Sequence, residues 1–148
     1  MAIMTGTDGA TREANKQTLR RAMDGIGALD LDAVVAELHD GVRFELPYEE
    51  AVPDSGMDGI RTLLGSMFGM FGKFTITLTD IYDLLDPNML VARYRGDALG
   101  RDKPVVYRND YIGVFEFRDG KITLWREFDN PMVSAAMVAG FAADGASA

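Results

Sequence analysis

The stretch Tyr107-Arg108-Asn109-Asp110-Tyr111-Ile112-Gly113-Val114-Phe115-Glu116-Phe117-Arg118-Asp119-Gly120-Lys121-Ile122-Thr123-Leu124-Trp125-Arg126-Glu127-Phe128 carries the decisive pattern. Its two runs flank Asp119-Gly120, a hairpin signal, because Asp and Gly tolerate the positive φ that a two-residue turn demands. Each run alternates with period two, as a strand does. In the first, Tyr107, Asn109, Tyr111, Gly113 and Phe115 share one face, and Arg108, Asp110, Ile112 and Val114 share the other. In the second, Trp125 and Glu127, continued by Asp129, lie opposite Leu124, Arg126 and Phe128. The passage predicts a long antiparallel hairpin over 105–118 and 121–128.

Upstream the same period recurs. Phe74, Ile76 and Leu78 alternate with Thr75, Thr77 and Thr79. After the turn Asp86-Pro87-Asn88, residues 90–98 form another strand, with Arg93, Arg95 and Asp97 on one face and Leu90, Ala92 and Tyr94 on the other. A short early strand covers 42–46. Helical spacing appears in Leu19, Ala22, Met23 and Ile26, with Gly25 and Gly27 marking the end. It recurs in Leu31, Val34, Val35 and Leu38 behind an Asp30 N-cap, and in Ile60, Leu63, Leu64, Met67, Phe68 and Phe71. Asn130-Pro131 opens a short C-terminal helix. The order helix, helix, strand, helix, then hairpin-linked strands gives an α+β fold with an antiparallel sheet and helices on one face. A curved sheet wrapped on helices encloses a mostly apolar pocket with a few polar groups.

The bulk properties narrow the function. At 148 residues the chain fits one domain, expected over 11–138, with 1–10 and 142–148 as loose termini. A net charge of −8 argues against nucleic acid or an anionic membrane as partner. There is no cysteine, which removes disulfides, thiolate metal sites and a Cys nucleophile. The single histidine, His39, leaves no His-rich metal site, and its position fits a helix-end histidine on terminal carbonyls. Neither a metal nor a cofactor is expected. No basic start precedes an apolar run at 1–10, and the apolar segment 132–143 is too short to span a bilayer, so a cytoplasmic protein is expected.

Extended to Asp129-Asn130-Pro131, the hairpin sequence resembles the C-terminal half of SnoaL-like proteins of the nuclear-transport-factor-like superfamily, which includes ketosteroid isomerase. Phe44-Glu45-Leu46-Pro47 and Asp58-Gly59-Ile60 fit the same pattern, and the likeness covers 12–138. It implies a cystatin-like cone: a curved sheet closing on three helices, dimeric through the outer sheet face. The sequence is also similar in part to limonene epoxide hydrolases. There an Arg-x-Asp and a second acid after Trp-Arg flank the reacting epoxide; the matching residues are Arg95 and Asp97, and Glu127, where Glu stands in place of Asp.

These considerations nominate Asp97 and Glu127 as a proton-transferring pair with Arg95 beside them, since carboxyls next to an Arg in a half-dry pocket have tunable pKa values. The alternative is cross-strand ion pairs on a solvated face. Asn109, Tyr111 and Trp125 are candidate substrate-binding wall residues, and Glu45 and Tyr48 stand at the expected pocket mouth. The expected partner is a small apolar molecule with one polar group. The reaction would be an isomerisation, cyclisation, elimination or hydration, and the alternative is a non-catalytic binding or dimeric interaction module.

Overall fold

A computed structural model describes residues 6–143. The chain runs α1 (Gly6–Gly27), α2 (Leu31–Val35), β1 (Leu38–Glu45), α3 (Met57–Met70), β2 (Phe71–Asp83), β3 (Met89–Gly100), β4 (Val106–Arg118), β5 (Lys121–Phe128) and α4 (Pro131–Ala142). The five strands form one curved, unclosed sheet in the order β1-β5-β4-β3-β2. The strands β2 to β5 are antiparallel neighbours, as the turn chemistry predicts, and Asp119 and Gly120 adopt φ of 53° and 75° in the hairpin.

Several expectations need correction. Leu38 and His39 belong to β1 and not to a helix; the second helix stops at Val35, one turn after its Asp30 cap, which accepts from the Ala33 amide at 3.1 Å. His39 accordingly caps no helix, and its Nδ1 accepts from the Gly41 amide at 3.0 Å. The strand β1 pairs parallel to β5, placing Phe44 beside Trp125, an arrangement that hairpin signals cannot announce because its partner is remote in sequence. Residues 6–10 lie in α1 and are not a loose terminus; the rest of the two expected loose termini, apart from 142–143, lies outside the described residues. The described helices are the three expected to cover the sheet and the C-terminal α4 that Asn130-Pro131 opens.

The apolar stripes meet over the inner face of the sheet. Leu19, Ala22, Met23 and Ile26 of α1, Ile60, Leu64 and Phe68 of α3, and Phe74, Leu90, Phe115 and Ile122 of the sheet are all buried in one core. Each such side chain contributes about 1.5–3 kcal/mol through apolar burial. Among the described residues, no helix is long and apolar enough to cross a membrane.

The helix α4 is attached differently. None of its residues is buried. Its first turn is fixed by polar contacts: Asn130 caps the Met132 amide at 3.0 Å. Asn109 on β4 both donates to the Asn130 carbonyl and accepts from the Asn130 amide, each at 3.1 Å. At the far end, Lys103 Nζ donates to the carbonyls of Phe141 and Ala143 at 2.6 and 2.8 Å. Replacing Asn109 by Ala removes both clamps on the Asn130 backbone. We expect a loss of about 1–3 kcal/mol in urea unfolding, together with faster amide exchange in α4 than in the sheet.

Candidate active site

Between the inner sheet face and the helices lies a cavity of about 200 Å³. A cavity of roughly 150 Å³ already accommodates benzene, so this one suits a body of one or two rings. Its walls are mostly aliphatic and aromatic, and Met67 and Met137 contribute deformable surface. Three carboxyl groups, those of Glu49, Glu127 and Asp129, break this apolar lining.

Glu127 occupies the centre of the polar wall. Its Oε1 accepts hydrogen bonds from the Tyr94 hydroxyl and, at 3.3 Å, from Trp125 Nε1. The register explains the first contact: Glu127 stands opposite Gly113 on β4, which stands opposite Ala92 on β3. Two minimal side chains leave a gap through which the Tyr94 hydroxyl reaches across a strand. A Cβ at Gly113 would lie 3.0 Å from that hydroxyl and only 2.4 Å from the Phe115 ring. The Glu127 carboxyl is pushed up to about 7, chiefly because burial penalises its charged form. The Tyr94 and Trp125 hydrogen bonds oppose that rise, and the charge of Asp129 adds to it. Glu127 is half-buried and lines the cavity wall.

A second acidic unit sits beside it. Asp129 Oδ2 accepts from Ser134 Oγ at 2.9 Å, and Asn109 Nδ2 in turn donates to Ser134 Oγ at 3.4 Å. Glu49, from the segment between β1 and α3, is raised above the ordinary glutamate range by burial and by hydrogen bonding to Asp129. The Glu49 Oε1 and Asp129 Oδ1 atoms are buried without a protein donor. A third feature is aromatic: Tyr107 and Tyr111 bond hydroxyl to hydroxyl, and Tyr111 stacks on Tyr94 with centroids 5.2 Å apart and planes at 18°. Burial moves Tyr107 up to about 12 and raises Tyr94 and Tyr111 as well, so all three remain hydrogen donors at neutral pH.

The expected meeting of Arg95, Asp97 and Glu127 does not occur. Tyr94 points into the cavity, so alternation sends Arg93, Arg95 and Asp97 to the outer face. There Arg95 binds Asp110 at 2.9 Å, and Arg108 binds Asp97 at 2.7 Å, in half-exposed cross-strand ion pairs. Tyr111 and Trp125 do line the cavity. Asn109 faces inward but spends its amide on α4 and Ser134. Glu45 is buried, yet its carboxylate is taken by Arg126 at 3.0 Å and Arg43 at 3.3 Å, away from the lining. Tyr48 is exposed and packs edge-on against Phe128. The sequence reasoning passed over Tyr94, Tyr107, Glu49, Asp129 and Ser134. The inward parity of Trp125 extends to Asp129 and, through cross-strand pairing, would have indicated Tyr94; nothing in the pattern flags Glu49. Among the described residues no group of His, Cys, Asp and Glu is placed to hold a metal ion.

Comparison with known proteins adds the lineage. The SnoaL-like domain family matches residues 19–125, well over half of the chain. The chain belongs to the SnoaL-like domain family. This SnoaL-like chain is 30% identical over 90 residues to an uncharacterised PhzA/B-like protein of Pseudomonas aeruginosa, a match spanning 60% of the chain and 64% of that relative, a little under two thirds of its length. Among solved structures it is similar to a Bacillus subtilis protein assigned provisionally as an isomerase, at 27% identity and a TM-score of 0.76, covering 88% of this chain and 96% of that one. An LEH-like epoxide hydrolase of M. tuberculosis shares the fold at 23% identity and a TM-score of 0.68, covering 88% and 93%. These likenesses place the SnoaL-like chain in the nuclear-transport-factor-like superfamily.

Two predictions follow from the geometry of Glu127. Its folded pKa, near 7, lies above the ordinary 4.5. The native state therefore binds the extra proton between those values, and its stability is complete below about 4.5 and falls as pH rises through 7. The loss amounts to about 3 kcal/mol. Denaturant titrations across this range should show Glu127→Gln gaining on the parent by that amount, and parallel curves would refute the shifted carboxyl. Gly113→Ala should destabilise by about 1–3 kcal/mol through overpacking. By displacing the Tyr94 hydroxyl it should also raise the Glu127 pKa further, measurable by carboxyl NMR titration.

Proposed function

We propose that this SnoaL-like protein is an enzyme that moves protons on a small hydrophobic cyclic or aromatic substrate without a cofactor, with Glu127 as general acid or base. The observation that carries this reading is a carboxyl poised near neutral pH at the wall of an apolar cavity, with one oxygen fixed by two donors. A proton-transfer group works best when its pKa lies near the working pH. Among the described residues Glu127 Oε2 makes no hydrogen bond and is available to a substrate. Tyr94 and Trp125 orient the carboxyl, and the Tyr107–Tyr111 pair supplies a hydrogen-bond donor for a carbonyl or hydroxyl. Glu49 and Asp129 add two further carboxyls to the wall of the same cavity.

The relatives guide the choice of reaction: isomerisation and epoxide opening are the first to assay, ahead of cyclisation and elimination. Both require a proton delivered to or taken from a ring-bound centre, which one buried acid can do. Arg95 and Asp97 belong, in this reading, to the outer sheet face offered to a second copy in a homodimer.

The experiment is a turnover screen with cyclic β,γ-unsaturated ketones and aryl epoxides, followed by variants on whichever is converted. Glu127→Gln keeps the acceptor for Tyr94 and Trp125 but cannot exchange a proton, so kcat should fall by about a hundredfold or more. The parent kcat should inflect near pH 7, and Asp97→Asn should retain the parent rate. A Glu127→Gln protein that turns over normally would remove Glu127 from the chemistry. Saturable binding with no product from any class would favour a binding module on the same scaffold.

A further inference from the structure

The cavity has three acidic groups and no basic one. Among the described residues no Lys, Arg or His lines it. Arg43 and Arg126, on β1 and β5, are committed to Glu45. An acidic wall without a counter-ion is expensive in an apolar setting, and the upward displacement of Glu49 and Glu127 is the symptom. Glu49 Oε1 and Asp129 Oδ1 are buried with no donor from the protein. The acidic wall therefore includes oxygens that the protein's own donors do not serve.

The rest of the wall favours the same kind of visitor. The stacked Tyr94 and Tyr111 rings and the Trp125 and Phe44 rings, 5.7 Å apart at an interplanar angle of 74°, present aromatic surface within the same enclosure. Aromatic faces attract cations through their quadrupoles, and more strongly where water is excluded. A carboxylate ligand would meet only like charge and ring faces. A neutral hydroxyl would offer one donor to several waiting oxygens. A primary ammonium offers three donors and a positive charge.

We propose that the ligand of this cavity carries a basic amine as its polar end, entering as the ammonium with its hydrocarbon body against the aromatic wall and its N–H groups on the Glu49, Asp129 and Glu127 carboxyls. The inference rests on the foregoing reading in taking this cavity as the substrate site, and it narrows the substrate class to apolar amines.

The test is calorimetry on the full chain with three probes sharing one bicyclic body: naphthylmethylamine, naphthylmethanol and naphthoate. At neutral pH and physiological ionic strength the amine should bind about tenfold more tightly than the alcohol or better, and naphthoate should not bind. In a Glu49→Gln, Asp129→Asn double variant the amine should lose that advantage while the alcohol keeps its affinity. If the double variant does not fold, the probe series on the parent protein decides. Naphthoate binding as tightly as the amine overturns the proposal. So does an amine no tighter than the alcohol, or one that fails to bind at millimolar concentration. Each of these results leaves the Glu127 turnover test standing on its own, so failure of the amine proposal and failure of the proton-transfer reading are told apart.

Discussion

The hydrogen bond from Tyr94 to Glu127 crosses the line of β4 at Gly113, and it exists only because that position has no side chain. This contact holds the carboxyl in one orientation, opposes part of the pKa rise that burial would otherwise cause, and brings three strands to a single point. It depends in turn on register. A slip of one residue between β4 and β5 would turn Glu127 outward and bring Arg126 or Phe128 into the cavity. The Asp119-Gly120 turn sets the pairing at the hairpin tip, and a bulge between Glu116 and Phe117 shifts it by one residue, so turn and bulge together decide that Glu127 faces the cavity.

The second acidic unit depends on a different part of the fold. Asp129 stands just beyond the end of β5, Ser134 lies in the first turns of α4, and Glu49 lies between β1 and α3. These elements meet because Asn109 holds the start of α4 against β4. A buried amide serves here as a joint between the sheet and the cavity roof. This accounts for an inward-facing polar residue on a strand whose other inward positions are aromatic or glycine.

Much of this architecture was legible in the chain. The period-two runs and the Asp-Gly turn gave the antiparallel strands; the i, i+3, i+4, i+7 stripes gave α1 and α3; and the Asp30 and Asn130 caps marked real helix starts. Of the residues nominated from the sequence, Glu127, Tyr111 and Trp125 line the cavity. Alternation sorts side chains into two faces but does not say which face is concave, so Arg95 and Asp97 were assigned to the cavity while Tyr94, of the opposite parity, was left out. Their charge was itself a clue: two arginine–aspartate pairs across β3 and β4 are better hydrated outside than in. The parallel β1–β5 pairing and the inward turn of Glu49 depend on contacts between remote segments, which no local pattern encodes.

The way α4 is fastened has its own consequence. Apolar along its length yet with no residue fully buried, it is pinned by Asn109 at one end and Lys103 at the other. Swinging it aside would break those polar contacts and lift Val133, Met137 and Phe141 off the core, a smaller loss than moving any sheet strand. The roof is thus the part of the cavity wall that can be reshaped with least damage to the rest of the fold.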